Sequence, residues 1–228
     1  MRLKKSSVKL KRKGSITVIA KGLDDSYMDA FVGIADMACR GYSKVFGLGF
    51  PAQVFIVAER DPKNPNMLNT DGTKTVYFTF RGDKDLLSPR ESGFLHIFGI
   101  SHELGHIAFS RSFAEGFTLK DDMAGAVYQA WADYSAAKRI IPFIHGSCNY
   151  CPWPHPYDFL AEEGPRHLSA FLRAKGIAPW TKTYIKLFDA VDKTKGPREL
   201  GKLVKKYGRE LMSDPENFVD RLKKLAKR

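Results

Sequence analysis

The stretch Gly93-Phe94-Leu95-His96-Ile97-Phe98-Gly99-Ile100-Ser101-His102-Glu103-Leu104-Gly105-His106 sets two histidines and a glutamate inside one of the most apolar parts of the chain. On an α-helix, His102 and His106 project from one face with their Cβ atoms about 5–6 Å apart. Two imidazole nitrogens at that spacing reach a single metal ion, and Glu103 reaches a water held on the same ion; this is the H-E-x-x-H pattern of zinc hydrolases. The competing reading is a pair of hydrogen-bonded core histidines. Apolar flanks on both sides suit a core-packed helix that carries a site. Gly105 keeps the space between the histidines free of a side chain that would crowd a neighbouring strand or a substrate. Both features favour the metal.

A chain of 228 residues holds one sizeable domain, or one domain with a helical appendage. A hydrophobic content of 43% with 16 Phe excludes a disordered chain. No apolar run approaches the roughly 20 residues that span a bilayer, so no membrane partner is expected. The opening MRLKKSSVKLKRKG leads only into Ile16-Thr17-Val18-Ile19-Ala20, shorter than the apolar core of a secretory signal, and a cytoplasmic location is expected. Three cysteines, an odd number, do not suggest a disulfide scaffold. The net charge of +12 is concentrated at the ends: Arg2, Lys4, Lys5, Lys9, Lys11, Arg12 and Lys13, then Arg221, Lys223, Lys224, Lys227 and Arg228. Such ends favour a polyanion, nucleic acid among them, although a solvated surface accounts for them equally well. No aromatic-interleaved nucleic-acid motif accompanies the charge.

Hydrophobic periodicity predicts a strand over residues 15–20 and a helix over 27–39 behind an N-cap at Asp24-Asp25-Ser26. Strands follow at 54–58 and 76–80, separated by a Pro/Asn/Gly/Asp-rich loop over 61–74. Ser88-Pro89-Arg90-Glu91 starts the motif helix, which runs to about Phe109. The order is β-α-β-β-α. A further helix spans 121–141 and closes at Pro142, with Asp122, Ala126, Gln129 and Asp133 on one face. Beyond it the chain reads as helices broken at Gly164-Pro165, Gly176 to Pro179, Gly196-Pro197 and Asp214-Pro215. The division expected is a basic arm (1–14), a domain carrying the motif (15–142), a Cys/His/Pro loop (143–157) and a helical basic region (158–228).

A catalytic zinc takes three protein ligands and one open position. The extension H-x-x-G-x-x-H is absent, because Phe109 and Ser112 stand at its Gly and His. The candidates for a third ligand are Glu115, Asp121, Asp122, Asp133, His145 and His155. Asp133 is favoured, on a helix that can lie antiparallel to the first. Two other readings stay open: Asp133 supports a histidine while the ligand comes from elsewhere, or it faces solvent. In the loop, His145-x2-Cys148-x2-Cys151-x3-His155 offers four soft ligands. A second zinc, a disulfide or redox pair, and plain loop packing all fit that spacing. The same loop can bring His145, His155 or Tyr157 to the cleft to stabilise an oxyanion.

HELGH followed by Ala132-Asp133-Tyr134-Ser135-Ala136-Ala137-Lys138-Arg139-Ile140-Ile141-Pro142 resembles the small cytoplasmic zincins of the radiation-response and phage-repressor-cleaving regulators. More broadly it is similar to gluzincin metallopeptidases. The resemblance covers roughly residues 50–142. It implies an α+β fold with a zincin-like β-α-β-β-α core, the motif helix, a second helix bearing the third ligand, and a helical C-terminal region. It also implies Zn2+ as cofactor, Glu103 as general base and a peptide or protein substrate. The chain departs from the family at the third ligand, usually Glu: no Glu occurs between Glu115 and Glu162, Trp131 precedes the Ala, and Gln129 stands four before Asp133. The function expected is a narrow-specificity zinc endopeptidase whose substrate pairs along an edge strand at Val76–Phe80. The alternative is a zincin-fold regulatory protein that binds nucleic acid or a partner through its basic termini.

Overall fold

The computed structural model describes residues 8–23, 25–61, 63, 68–80, 92–111, 122–147 and 179–227. β1 (Val8–Lys13), β2 (Ile16–Lys21), β3 (Val54–Arg60), β4 (Leu68–Thr70) and β5 (Thr75–Phe80) form one sheet in the order β1-β2-β3-β5-β4. The three central strands are parallel, and β1 and β4 run antiparallel at the edges. Alternation decides which face is buried. Ile16, Val18, Ala20, Val54, Ile56, Ala58, Val76, Phe78 and Phe80 point into the core, whereas Leu10 and Tyr77 on the other face are exposed. The fold is therefore α+β, with helices covering one face of a mixed sheet.

Parallel neighbours need a crossover, and α1 (Asp25–Gly41) supplies it between β2 and β3. Its buried Met28, Phe31, Val32, Ala35, Ala38 and Cys39 recur at helical spacing. A π-helical turn, Tyr42–Phe46, extends it. α2 (Ser92–Ser110) carries the motif and α3 (Asp122–Ser135) crosses it. A second π-helical turn, Ala136–Ile140, leads into α4 (Ile141–Ser147). Then come α5 (Pro179–Lys195), α6 (Pro197–Tyr207), α7 (Glu210–Ser213) and α8 (Pro215–Ala226). None of the helices in the described residues is long and apolar enough to cross a membrane.

Three sequence expectations change. The basic arm is a strand over Val8–Lys13, and its alternate lysines face α1: Lys9 meets Asp25 at 3.0 Å, Lys13 meets Asp36 at 3.5 Å, and Lys11 pairs closely with Asp29. The loop at 61–74 contains β4, so β5 is an interior strand and not the edge expected for substrate. The chain stays helical past Pro142. In the π-helical turn the Ile141 N–H bonds to Ala136 O, five residues back, and Pro142 falls at the start of a new α-segment, where its missing N–H costs little. α5 to α8 join the same core, one of the two arrangements the chain length allows. Phe188 meets Trp131 at 5.6 Å, Phe218 meets Phe109 at 5.8 Å, and Arg139 forks onto the buried Asp192. A Cβ on Gly201 of α6 would fall 1.7 Å from Phe46 O, so only glycine lets α6 lie on the first π-helical turn.

Candidate metal centre

From Ser101 to Ser110 every residue of α2 is buried. A helix buried all round sits inside a core, and α2 is enclosed by α1, α3, β4 and β5. Its polar residues therefore need partners from those elements. Tyr42, at the end of α1, donates a 2.9 Å hydrogen bond to the Ser101 carbonyl and lies 2.9 Å from Ser135 Oγ. The Tyr128 hydroxyl donates to the His106 carbonyl at 2.9 Å, with its ring 4.2 Å from the imidazole. Trp131 Nε1 donates to the Gly105 carbonyl at 3.1 Å. The Ser110 hydroxyl bonds to Gly72 O, tying the β4–β5 turn to the end of α2.

Gly105 is what lets α2 and α3 touch. A Cβ there would come 2.5 Å from the Tyr42 hydroxyl, 3.2 Å from Ser135 Oγ and 3.3 Å from Ala132 Cα. The neighbour that excludes a side chain is thus a helix and a tyrosine, where the sequence suggested a strand or a substrate.

The histidines converge through their outer nitrogens. His102 Nε2 and His106 Nε2 stand 3.0 Å apart. Two nitrogens on one tetrahedral zinc, each at 2.0–2.1 Å, are separated by about 3.3 Å, so a few tenths of an ångström open the pair to a metal. Asp133 Oδ1 lies 3.0 Å from His102 Nδ1, close enough for charge pairing but without the alignment of a hydrogen bond. The favoured third ligand of the sequence reading is therefore against the nitrogen that points away from His106. A group the sequence left without a role, the Gln129 amide, is 3.1 Å from His102 Nε2 and also acts on His106.

Several buried polar atoms find no hydrogen-bond partner among the described residues: Ser101 Oγ, His106 Nδ1 and Asp133 Oδ2. Burial costs each of them a share of its hydration. Burial also acts to lower the His102 pKa, but the Asp133 carboxylate, with Glu103, outweighs it, and the net direction is up. Burial and the neighbouring His102 hold His106 well below its usual range, against the Gln129 amide. Glu103 is pushed up by burial, partly offset by His102 and reinforced by Asp133.

Among the described residues no cluster of three or more His, Cys, Asp or Glu is arranged to hold a metal. Two imidazoles converge, and a metal held there would take its remaining donor from a group of another kind or from elsewhere. Asp122 opens α3 as an exposed residue. His145 lies on α4, with its side chain outside the described residues. Glu115, Asp121, Cys148, Cys151, His155 and Tyr157 also lie outside them. Tyr42, Tyr128, Gln129 and Ser135 belong to the site without having been singled out for it. Only Gln129 had a signal, its shared helix face with Asp133. No protein-family model matches the chain, and no curated protein matches it at a significant level.

Proposed function

We propose that the protein is a zinc-dependent hydrolase of peptide bonds, a zincin-like enzyme with its metal on His102 and His106. The observation that carries this reading is the 3.0 Å convergence of two buried Nε2 atoms beside a buried glutamate. Glu103, next to the first histidine, is buried as well, and the H-E-x-x-H spacing puts its carboxylate within reach of a water on such a metal. A zinc ion there supplies Lewis acidity, lowering the pKa of water towards about 7. Glu103 takes the proton of the attacking water at its carboxylate and passes it to the leaving amine. Asp133 packs against Nδ1, on the side of the His102 ring away from His106, and leaves Nε2 turned towards His106. His155 and Tyr157 stay the candidates for a donor to the developing oxyanion. An extended peptide pairs with the outer edge of β4, which no further strand covers among the described residues, beside the β4–β5 turn that Ser110 ties to α2.

The test is cleavage of a peptide library by zinc-loaded protein beside Glu103→Gln. The variant keeps its zinc and loses roughly 10²–10⁴-fold in rate, because an amide cannot accept the proton. Equal cleavage by both proteins removes Glu103 from the chemistry.

A second reading, contact with nucleic acid, has one supporting feature. A groove of about 430 Å³ between α6 and α8 is walled by Lys202, Lys206, Arg221 and Lys224 beside Tyr207. Two of these cations already have carboxylate partners, Lys202 on Glu199 and Arg221 on Glu210, as Lys9, Lys11 and Lys13 have on α1. Phosphate contact would give a log–log salt slope of about −0.9 per phosphate neutralised on duplex. No gel shift at low salt leaves the charge as a surface property.

A further inference from the structure

We infer that Gln129 is the third protein donor to the metal, through its side-chain carbonyl oxygen. The inference rests on the metal site proposed above and adds the identity and charge of the missing ligand. Three features of the crossing between α2 and α3 lead to it. First, the Gln129 amide head lies 3.1 Å from His102 Nε2, the nitrogen that His106 Nε2 approaches to 3.0 Å, so it stands where the two imidazoles converge. A carboxamide presents oxygen or nitrogen to one point by a half-turn of its end, so the oxygen reaches the position now taken by Nε2.

Second, Gln129 and Asp133 are one turn apart on α3 and divide His102 between them. Asp133 meets Nδ1 and Gln129 meets Nε2. Only the Nε2 side faces His106. Third, Gln129 is exposed, whereas His102 and His106 are buried. It therefore approaches from the open side of the site, the side on which water and substrate must enter. Among the described residues no third His, Cys, Asp or Glu joins the histidines, whereas the Gln129 amide is within reach of them.

The consequence is a set of three neutral ligands. An amide oxygen binds zinc less tightly than a carboxylate, and the ion keeps its full charge for polarising water and a substrate carbonyl. Replacing the amide by a carboxylate at the same length should therefore strengthen binding.

The experiment is competition with a chromophoric chelator for zinc, and the visible absorption of cobalt-loaded protein, on the full chain. The proteins are wild type, Gln129→Ala, Gln129→Glu, Asp133→Ala and His102→Ala. Gln129→Ala should bind at least about 10-fold more weakly and change the cobalt spectrum, and Gln129→Glu should bind more tightly than wild type. Asp133→Ala should lose about 10–100-fold in affinity, the range for a group that orients a ligand, with the cobalt bands in place. Gln129→Ala with wild-type affinity and spectrum overturns the inference while His102→Ala still shows the metal on the histidines. Wild type that takes up neither metal overturns the inference together with the function it rests on.

Discussion

Acid–base pairs join β1 to α1 and α2 to α3, under very different conditions. The lysines of β1 and the aspartates of α1 keep much of their water: the Lys9–Asp25 side chains are 39% and 78% exposed. The His102 and Asp133 side chains are 10% and 5% exposed. Exposed pairs of this kind contribute about 0–1 kcal/mol, because either partner returns to water when the other is removed. Their effect here is to neutralise part of the basic N-terminus and hold β1 over α1. At the buried crossing no such return is open. Asp133 Oδ2, His106 Nδ1 and Ser101 Oγ are without hydrogen-bond partners among the described residues. Such atoms cost stability where they stand, which marks the crossing as a candidate site. The same local rule, an acid facing a base on adjoining elements, thus gives a fastening at the surface and a candidate site in the interior.

The largest effect should come from the ring that seals the crossing. Trp131 is fully buried against Phe46, Phe109 and Phe188 and holds the Gly105 carbonyl. Trp131→Ala should cost about 3–5 kcal/mol in equilibrium denaturation. A loss under 1 kcal/mol would mean that α2 and α3 are not held by this packing. Next comes Gly105→Ala, expected to cost about 1–3 kcal/mol through the clash with Tyr42. Adding Tyr42→Phe should recover part of that loss, and a purely additive double mutant would remove Tyr42 as the obstacle. On the surface side, Lys11→Ala should cost less than about 1 kcal/mol and the difference should shrink in high salt. A larger, salt-independent loss would break the contrast between the two regions.

The smallest effect concerns the turn tied to α2. Burial raises the Asp71 pKa, but the backbone N–H groups of Thr73, Lys74 and Thr75, at 2.8–2.9 Å, outweigh it and bring it down from 3.8 to about 2. A depressed carboxylate pKa stabilises the folded turn above the unfolded value, and that contribution fades as pH falls from about 4 through about 2. Amide exchange at Thr73 to Thr75 should quicken over that window beyond the intrinsic trend. Asp71→Asn, which does not titrate, should show no such step.

Long apolar periods made β2, β3, β5, α1 and α2 legible in the sequence, because burial of one face leaves a mark every two or every three to four residues. β1 was hidden by its own pairing: VKLKRK alternates as a strand should, but the residues turned towards α1 are lysines. Only three residues long, β4 sits in a turn-rich segment where no period can show. Pro142 misled because a π-helical turn placed it at a helix start, where proline is tolerated. At the site, His102, Glu103 and His106 are defined by local spacing and could be read directly. Gln129 and Asp133 could be placed on one helix face, but which imidazole nitrogen each would meet depends on how α3 crosses α2. Tyr42 reaches Ser101 from 59 residues away and carried no sequence signal.

Elemental analysis of full-length protein purified without chelator and dialysed against zinc tests the proposed metal centre most directly, with His102→Ala as the partner measurement. Two converging imidazoles predict one zinc per wild-type chain and a loss of that zinc in His102→Ala. A second zinc retained by both proteins would point to Cys148 and Cys151 and leave this result intact. Wild type without zinc, or His102→Ala with the same content as wild type, would contradict a metal held at HELGH.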